Sequence, residues 1–210
     1  MTPTSYEYNV FINCPFDDEY ADMFYALVFA VHDCGFRARC TLEIDDTGRV
    51  RLESILDLIS ECSLGIHDIS RTELDETYGL PRFNMPFELG LFLGASRFGQ
   101  AEQQAKKCLV LDREPYRYQK FLSDISGQDP KAHEAEPATV ISQVRDWLNS
   151  ALPEAEVIRP GGRKIAERYA SFRDELPELC AEVHIETDEL IFNDFTTILV
   201  EWLQDHEWNR

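Results

Sequence analysis

The sequence predicts an α/β protein with a doubly wound, mostly parallel five-stranded sheet and a C-terminal helical extension. Short apolar and β-branched runs alternate with segments of helical periodicity through most of the chain. That alternation is typical of parallel strands joined by helices that cover both faces of a sheet. With 210 residues and 44% hydrophobic composition, the chain is long enough for one such domain with a small appendage.

Each predicted strand is a short run, and the first of them is rich in β-branched and aromatic residues. The five runs occupy residues 8–14, 36–42, 64–66, 108–111 and 131–133. The predicted helices lie at residues 16–34, 52–59, 87–93, 116–125 and 140–148. Pro15 ends the first strand, acidic residues favour the first turn of the helix after it, and Gly35 ends that helix.

Two breaks near the C-terminus predict how the chain divides. The first falls near Leu152 and Pro153, and the second at Pro160-Gly161-Gly162. We expect an α/β domain over residues 1–152 and an acidic α-helical extension over residues 153–210. Residues 182–207 contain acids but no Lys or Arg. This extension either packs on the sheet domain with a solvated acidic face or serves dimerisation or partner docking.

The formal net charge of -19 excludes some partners. Phosphate contacts with nucleic acid are made by Lys and Arg, so we expect no nucleic-acid binding and no anionic membrane surface. A few local donors are still enough for a nucleotide. The sequence has neither an apolar run suited to a membrane span nor a signal peptide, which favours a soluble cytoplasmic protein.

The six cysteines form no CxxC pair and sit mostly inside apolar patterns. They are Cys14, Cys34, Cys40, Cys62, Cys108 and Cys180. We interpret them as reduced core residues of a cytoplasmic protein. Cys14 falls at the end of the first predicted strand, and a catalytic thiol is the alternative there. The scattered histidines have no metal-site spacing, so no metal is expected.

Residues 63–99 are the most informative segment. An apolar strand ends at Asp68, a polar turn-rich segment follows, and an apolar helix carries Glu88 near its start. A lone carboxylate in such an apolar context needs a partner or a function. It either pairs with Arg82 or stabilises positive charge on a sugar ring. Asn84 lies one turn before Glu88 and is either a helix cap or a ligand contact.

Other candidate residues follow the strands of the predicted sheet. Asp68 either bonds local amides, accepts hydrogen bonds from ribose hydroxyls or orients Arg82. The end of the first strand should lie beside it, with Asn13 near the ligand, Phe16 stacking on a base, and amides near Asp17 holding a phosphate. Arg49, in the loop after the second strand, either reaches phosphates or is a solvated surface charge.

At these residues the chain resembles a known superfamily. An apolar strand ending in Asp, a loop, and then Asn-x-x-aromatic-Glu-Leu-Gly is similar to nucleoside 2-deoxyribosyltransferases and to bacterial TIR-like nucleotide-binding proteins. The resemblance covers roughly residues 6–150. It rests on Asp68, on the segment from Asn84 to Gly90, on the opening strand over residues 10–13, on Pro15-Phe16 and on Asp46-Thr47-Gly48. Pro86 inside the motif and the long loop after Asp68 depart from the family pattern.

The resemblance implies a TIR- or flavodoxin-like fold and N-glycosidic chemistry on a nucleoside or dinucleotide. It assigns Glu88 as the catalytic glutamate of NAD-cleaving TIR enzymes, or as the nucleophile of the deoxyribosyltransferases. Nicotinamide in NAD is already cationic and leaves without a general acid, whereas an ordinary purine usually needs protonation. One strong carboxylate with only candidate partners therefore favours NAD over a plain nucleoside.

We accordingly expect a TIR-like NAD glycohydrolase in bacterial stress or antiphage defence, with NAD as substrate and no further cofactor. Such domains commonly assemble, so a homo-oligomer or a partner protein bound through the C-terminal helices is expected. Two alternatives stay open. One is a nucleoside 2-deoxyribosyltransferase or hydrolase, and the other is a non-catalytic sensor of a nucleotide signal that acts through a protein partner.

Overall fold

The computed structural model describes residues 5–46, 48–74, 79–151 and 159–208. Its centre is a five-stranded sheet made of β1 (Asn9–Asn13), β2 (Arg37–Arg39), β3 (Leu64–Asp68), β4 (Lys107–Asp112) and β5 (Lys131–Ala132). The strand order is β2-β1-β3-β4-β5, and every neighbouring pair is parallel. The predicted α/β fold with a doubly wound parallel sheet is confirmed.

Seven helices surround the sheet in the described ranges. They are α1 (Ala21–Asp33), α2 (Arg51–Ser60), α3 (Asn84–Phe98), α4 (Ala101–Gln104), α5 (Pro137–Ala151), α6 (Gly162–Glu182) and α7 (Phe192–Asp205). The end of α1 agrees with the sequence prediction, because Gly35 adopts a φ of 83° that a side chain would strain.

The two central strands are buried along their whole length. All five residues of β1 and all five of β3 are buried, and Ile12 pairs with Ile66 across them. Strands of a parallel sheet are covered by helices on both faces, which is why these runs read as continuously apolar. Polar residues within them are therefore exceptional, and each needs a buried partner.

Alternate residues of the strands face different helices. Ile12 and Ile66 belong to the large cluster that includes α1 and α5. Phe11, one residue away on β1, packs in a second cluster with Ile55 of α2 and Phe92 of α3. The helices that follow β1 and β3 thus lie on opposite faces of the sheet.

The C-terminal helices add a layer outside α1. Phe29 of α1 has its ring centroid 5.6 Å from that of Phe172 on α6 and 6.1 Å from that of Trp202 on α7. Phe172 and Phe195 of α7 pack edge to face at 5.7 Å. These aromatic contacts bury α1 completely at Phe29. None of the helices in the described ranges is long and apolar enough to cross a membrane.

Two local predictions differ from the structure. The helix predicted over residues 116–125 is wrong: two 3₁₀ turns, Arg117–Lys120 and Ser123–Ile125, take its place. Tyr116 has a φ of 59°, which a continuous right-handed helix does not allow. The first helix begins at Ala21, because the acidic residues predicted to open it form a 3₁₀ turn, Asp18–Tyr20. Thr47 and the predicted boundary at residues 152–153 lie outside the described residues.

Gly65 of β3 allows a close approach between the sheet and α3. A Cβ added there would lie 2.8 Å from the ring of Phe92 and 2.7 Å from Nε2 of His67. We expect Gly65→Ala to lower the free energy of unfolding by about 1–3 kcal/mol, as over-packed cores do. Urea unfolding measures the effect. Gly127→Ala is the matched control, because its Cβ meets nothing within 4 Å, and an equal loss there would contradict the prediction.

Candidate functional site at the carboxyl edge of the sheet

Four strands lead into buried polar side chains at one edge of the sheet. Asn13, Asp68 and Asp112 end β1, β3 and β4, and His133 follows β5 directly. Helices leave β1 and β3 toward opposite faces, so the ligand crevice of this fold is expected between the carboxyl ends of these two strands. Ligands of open α/β sheets bind at such a switch point.

Asn13 joins the two central strands to α3. Its Nδ2 donates to the carbonyl oxygen of Met85 at 2.9 Å and lies 3.1 Å from Nδ1 of His67. The amide of Asn13 can only donate in this contact, so Nδ1 of His67 accepts and Nε2 carries the proton. Burial lowers the pKa of His67 to about 3, and the nearby charge of Lys106 acts in the same direction. His67 is therefore a neutral core histidine.

Glu88 lies one turn beyond Met85 on α3. The side chain is only 7% exposed, and no hydrogen bond from the described residues reaches its carboxylate. Burial raises its pKa to about 7, and the positive charge of Arg51 opposes that shift. Its negative charge acts on Cys14 at the end of β1. Glu88 is thus a poorly solvated carboxylate close to the crevice.

Cys14 does not supply a nucleophile in this arrangement. It is buried, and burial together with the charge of Asp68 raises its pKa well above the usual range for a thiol. The reactive form of cysteine is the thiolate, which these surroundings suppress. All six cysteines are free, and five of them are buried, in keeping with the predicted reduced core.

Asp68 is held on the face of the sheet that α1 covers. Its carboxylate accepts from the Tyr20 hydroxyl at 2.6 Å and from the Ser70 amide at 2.8 Å, and His133 Nε2 lies 2.9 Å away. Burial alone would raise the pKa of Asp68, but these three partners outweigh it and lower the pKa. Nδ1 of His133 accepts from the Ala135 amide, so Nε2 carries the proton that faces Asp68.

A cavity of about 200 Å³ lies beside this cluster. Tyr20 and His133 line it together with Arg71 and Arg113. Arg71 connects it to the loop after β1, with contacts of 2.5 Å to Glu19 and 3.5 Å to Asp17. Both arginines pair with acids at the surface, so the cavity is close to charge balance.

The structure brings only some of the predicted residues together. Asn13 contacts the first turn of α3, and Asp17 contacts Arg71. Asp68 bonds Tyr20 and lies on the opposite face of the sheet from Asn13. Phe16 is 38% exposed and packs its ring edge against Phe24 at 5.3 Å.

The remaining predicted residues lie on the surface. Arg49 forms an ion pair with Asp57 of α2, as expected of a solvated surface charge. Arg82 and Asn84 are exposed around the start of α3. Phe83 occupies the cap position, so Asn84 does not cap this helix.

Sequence reasoning missed Tyr20 and His133, which hold Asp68, and Arg117, which pairs with Asp112 at 2.5 Å. One signal was available: a polar residue follows nearly every apolar run, and such residues converge at the carboxyl edge of a parallel sheet. In the part of the chain that the structure describes, no group of three or more His, Cys, Asp or Glu residues could hold a metal ion.

Comparisons of the chain with protein-family models, with curated proteins and with solved structures find no match. The likeness to TIR-like proteins and deoxyribosyltransferases therefore rests on the motif residues named above.

The raised pKa of Glu88 makes a prediction about stability. The unfolded carboxyl ionises near 4.5 and the folded one near 7, so stability falls as pH rises between these values and the loss is complete above them. We expect Glu88→Gln to stabilise the protein by about 2 kcal/mol at pH 8. This is less than the whole pKa shift would give at about 1.36 kcal/mol per unit, because the carboxylate keeps some hydration.

Chemical denaturation across this pH range measures the difference. At pH 4 the gap between wild type and Glu88→Gln should nearly vanish. Glu178→Gln is the control, since Glu178 is exposed on α6. A gap that does not change with pH would show that Glu88 ionises normally.

Proposed function

We propose that this protein cleaves the N-glycosidic bond of NAD and releases nicotinamide, with Glu88 as the catalytic residue. One observation carries the proposal: a buried carboxylate that accepts no hydrogen bond from the described residues, on the helix that begins over the ends of β1 and β3. Burial of such a carboxylate lowers the stability of the fold. Groups of this kind are common at functional sites and rare elsewhere.

The electrostatics of Glu88 suit a cationic reactant. A carboxylate with few donors retains most of its field, and a positive charge placed beside it is strongly attracted in a poorly hydrated site. The nicotinamide ring of NAD carries such a charge before the bond breaks. Its positive charge would also favour the ionised form of Glu88, so substrate binding would lower the pKa of the catalytic group.

The reaction needs few other groups. As the bond between C1′ of ribose and the ring nitrogen breaks, its electron pair goes to nicotinamide, which leaves neutral. Positive charge moves to the sugar as an oxocarbenium-like centre, which Glu88 stabilises. Water then adds to C1′ and releases a proton. No general acid is required for the leaving group, in keeping with the absence of a hydrogen-bonded acid beside Glu88 among the described residues.

The neighbouring residues supply the binding contacts of the proposed site. Phe16 is accessible for stacking, and Arg82 and Asn84 are exposed beside the first turn of α3. Asn13 is already committed to Met85 and His67, so its role is to hold α3 in place. Asp68 already accepts from Tyr20 and Ser70 and lies 2.9 Å from His133 Nε2, so we assign it to supporting the sheet edge and not to a direct ribose contact. The family resemblance adds a setting in bacterial stress or antiphage defence.

Nicotinamide release from NAD, followed by chromatography, tests this function. Wild type should release nicotinamide, while Glu88→Ala and Glu88→Gln should lose activity by at least about 10²-fold, the scale of a lost transition-state charge interaction. Glu178→Gln should retain wild-type activity. Full activity in both Glu88 variants would refute the assignment. Base exchange on deoxynucleosides without NAD consumption would identify a deoxyribosyltransferase instead.

The pH dependence provides a separate test of the role of Glu88. Because the ionised form acts and the pKa lies near 7, kcat/KM should rise with pH up to about 7 and then level off. A steady-state profile with NAD measures it. A rate that stays constant from pH 5 to 8 would contradict a carboxylate with this pKa in the rate-determining step.

A second candidate, the nucleotide sensor, is favoured by contacts between the crevice and α7. The ring of Phe24 lies 5.3 Å from that of Phe16 and 5.9 Å from that of Phe192. Asn193 Nδ2 also donates to the Glu43 carbonyl at 3.3 Å, in the turn that follows β2. A ligand stacked on Phe16 would therefore be two aromatic contacts away from the C-terminal helix.

Hydrogen exchange of Glu88→Gln with and without NAD tests the sensor, because this variant should bind NAD without consuming it. A sensor predicts slower exchange in α7 as well as at the sheet edge. Phe192→Leu should remove the effect at α7 and keep the effect at the edge. Protection confined to the edge would reject transmission through α7.

A further inference from the structure

The outer face of α3 carries exposed apolar surface. Phe83, Phe87 and Phe98 are 64%, 53% and 86% exposed and lie on one side of the helix, opposite buried Leu89 and Phe92. At helical spacing, Gly90 and Gly94 lie between them on the same side. Together the three rings expose roughly 400 Å² if each full side chain counts about 200 Å². Such a patch equals about half of one partner's share of a standard interface.

The charge of this segment differs from that of the rest of the chain. Of the 39 acidic residues, only Glu88 lies between Arg82 and Phe98, and it is buried. Arg97 is the charged residue on the exposed face itself. Two copies with a net charge of -19 each repel one another, and they can meet most readily where carboxylates are absent.

The two glycines need an explanation from outside the subunit. A Cβ at Gly90 or Gly94 would meet no atom of the described residues within 4 Å, so neither glycine is required by packing against them. Each costs about 1 kcal/mol of helix stability relative to alanine. Their position in the middle of the aromatic face allows another backbone to approach α3 closely.

We infer that this protein forms a two-fold symmetric dimer through α3, with the two helices crossing antiparallel at Gly90 and Gly94. The inference does not depend on the proposed reaction. Phe92 marks the midpoint of the glycines, and Phe87 and Arg97 are equally distant from it in sequence. A two-fold axis at this point brings Arg97 of each copy to the height of Phe87 of the other along the helix axis, within reach of the long Arg side chain. Arg and Phe attract in this arrangement, so the face is complementary to itself.

The same symmetry supplies a place for Phe83. This ring lies just beyond the C-terminal end of α3 in the second copy, because that helix stops at Phe98. A groove of about 390 Å³ lies there between α2 and α3, lined by residues that include Leu56, Ala95 and Gly99. The two copies of Arg97 stay roughly 15 Å apart, at 1.5 Å of helix rise per residue, which is beyond the Debye length at physiological salt.

Sedimentation equilibrium of the full chain tests the dimer. Wild type should move from the chain mass of 24.3 kDa to twice that mass as the protein concentration rises. Raising salt from about 0.1 M to about 1 M should tighten association, because it screens repulsion between acidic subunits. A monomer at every concentration and salt would overturn the inference, as would an open-ended polymer, which a closed two-fold contact does not allow.

Two variants identify the face. Gly94→Leu adds a side chain in open space and improves helix propensity, so it should fold without loss of thermal stability while keeping the helices apart. Phe98→Ser removes the most exposed ring. Each should raise the dimer Kd by about tenfold or more, equivalent to 1.4 kcal/mol. Ala170→Leu, at an exposed position on α6, is the matched control. A dimer that survives both α3 variants uses another surface and refutes the inference.

Discussion

The side-chain amide of Asn13 is the contact on which the arrangement of this edge of the sheet depends. Its two donor contacts connect β1 to β3 through His67 and to α3 through Met85, all in buried surroundings. Removing it would leave the His67 ring nitrogen without a donor and would break the contact to the Met85 carbonyl, and unsatisfied buried groups lower stability. The contact between Asn13 and Met85 fixes the start of α3 over the crevice, and it therefore also fixes the position of Glu88. The opposite face relies on an independent arrangement, in which Asp68 is bonded by Tyr20, Ser70 and His133.

Periodicity in the sequence was sufficient to predict the sheet because its strands are short apolar runs separated by helical patterns. The prediction of a helix over residues 116–125 was wrong. Tyr116 adopts a left-handed conformation and two 3₁₀ turns follow it, and the spacing of apolar residues does not distinguish such turns from a helix. The sequence also singled out Asp68 and Glu88, but it could not assign them to opposite faces. The side on which a strand residue lies depends on register with its neighbours, and a shift of one residue exchanges the faces.

The partners of Asp68 show a further limit of local reasoning. Tyr20 and His133 are separated by most of the domain, and they meet only because β5 adds at the far edge of the sheet and the turn after β1 lies over the same strand ends. No spacing rule connects them. Glu88 could be recognised from the sequence because the signal is local: it is one acidic residue in an otherwise apolar helix. A carboxylate that accepts no hydrogen bond from the described residues lowers stability, which is why Glu88 is the residue on which the proposed function rests.

The packing of α1 has a consequence for synthesis on the ribosome. This helix is made early, yet the rings that cover Phe29 belong to α6 and α7, more than half the chain later. At about 5–20 residues per second, the interval amounts to roughly ten to thirty seconds. During that time the apolar face of α1 around Phe29 has no aromatic residue of α6 or α7 to pack against. Nascent chains of this protein should accordingly depend on chaperones until the last helix emerges.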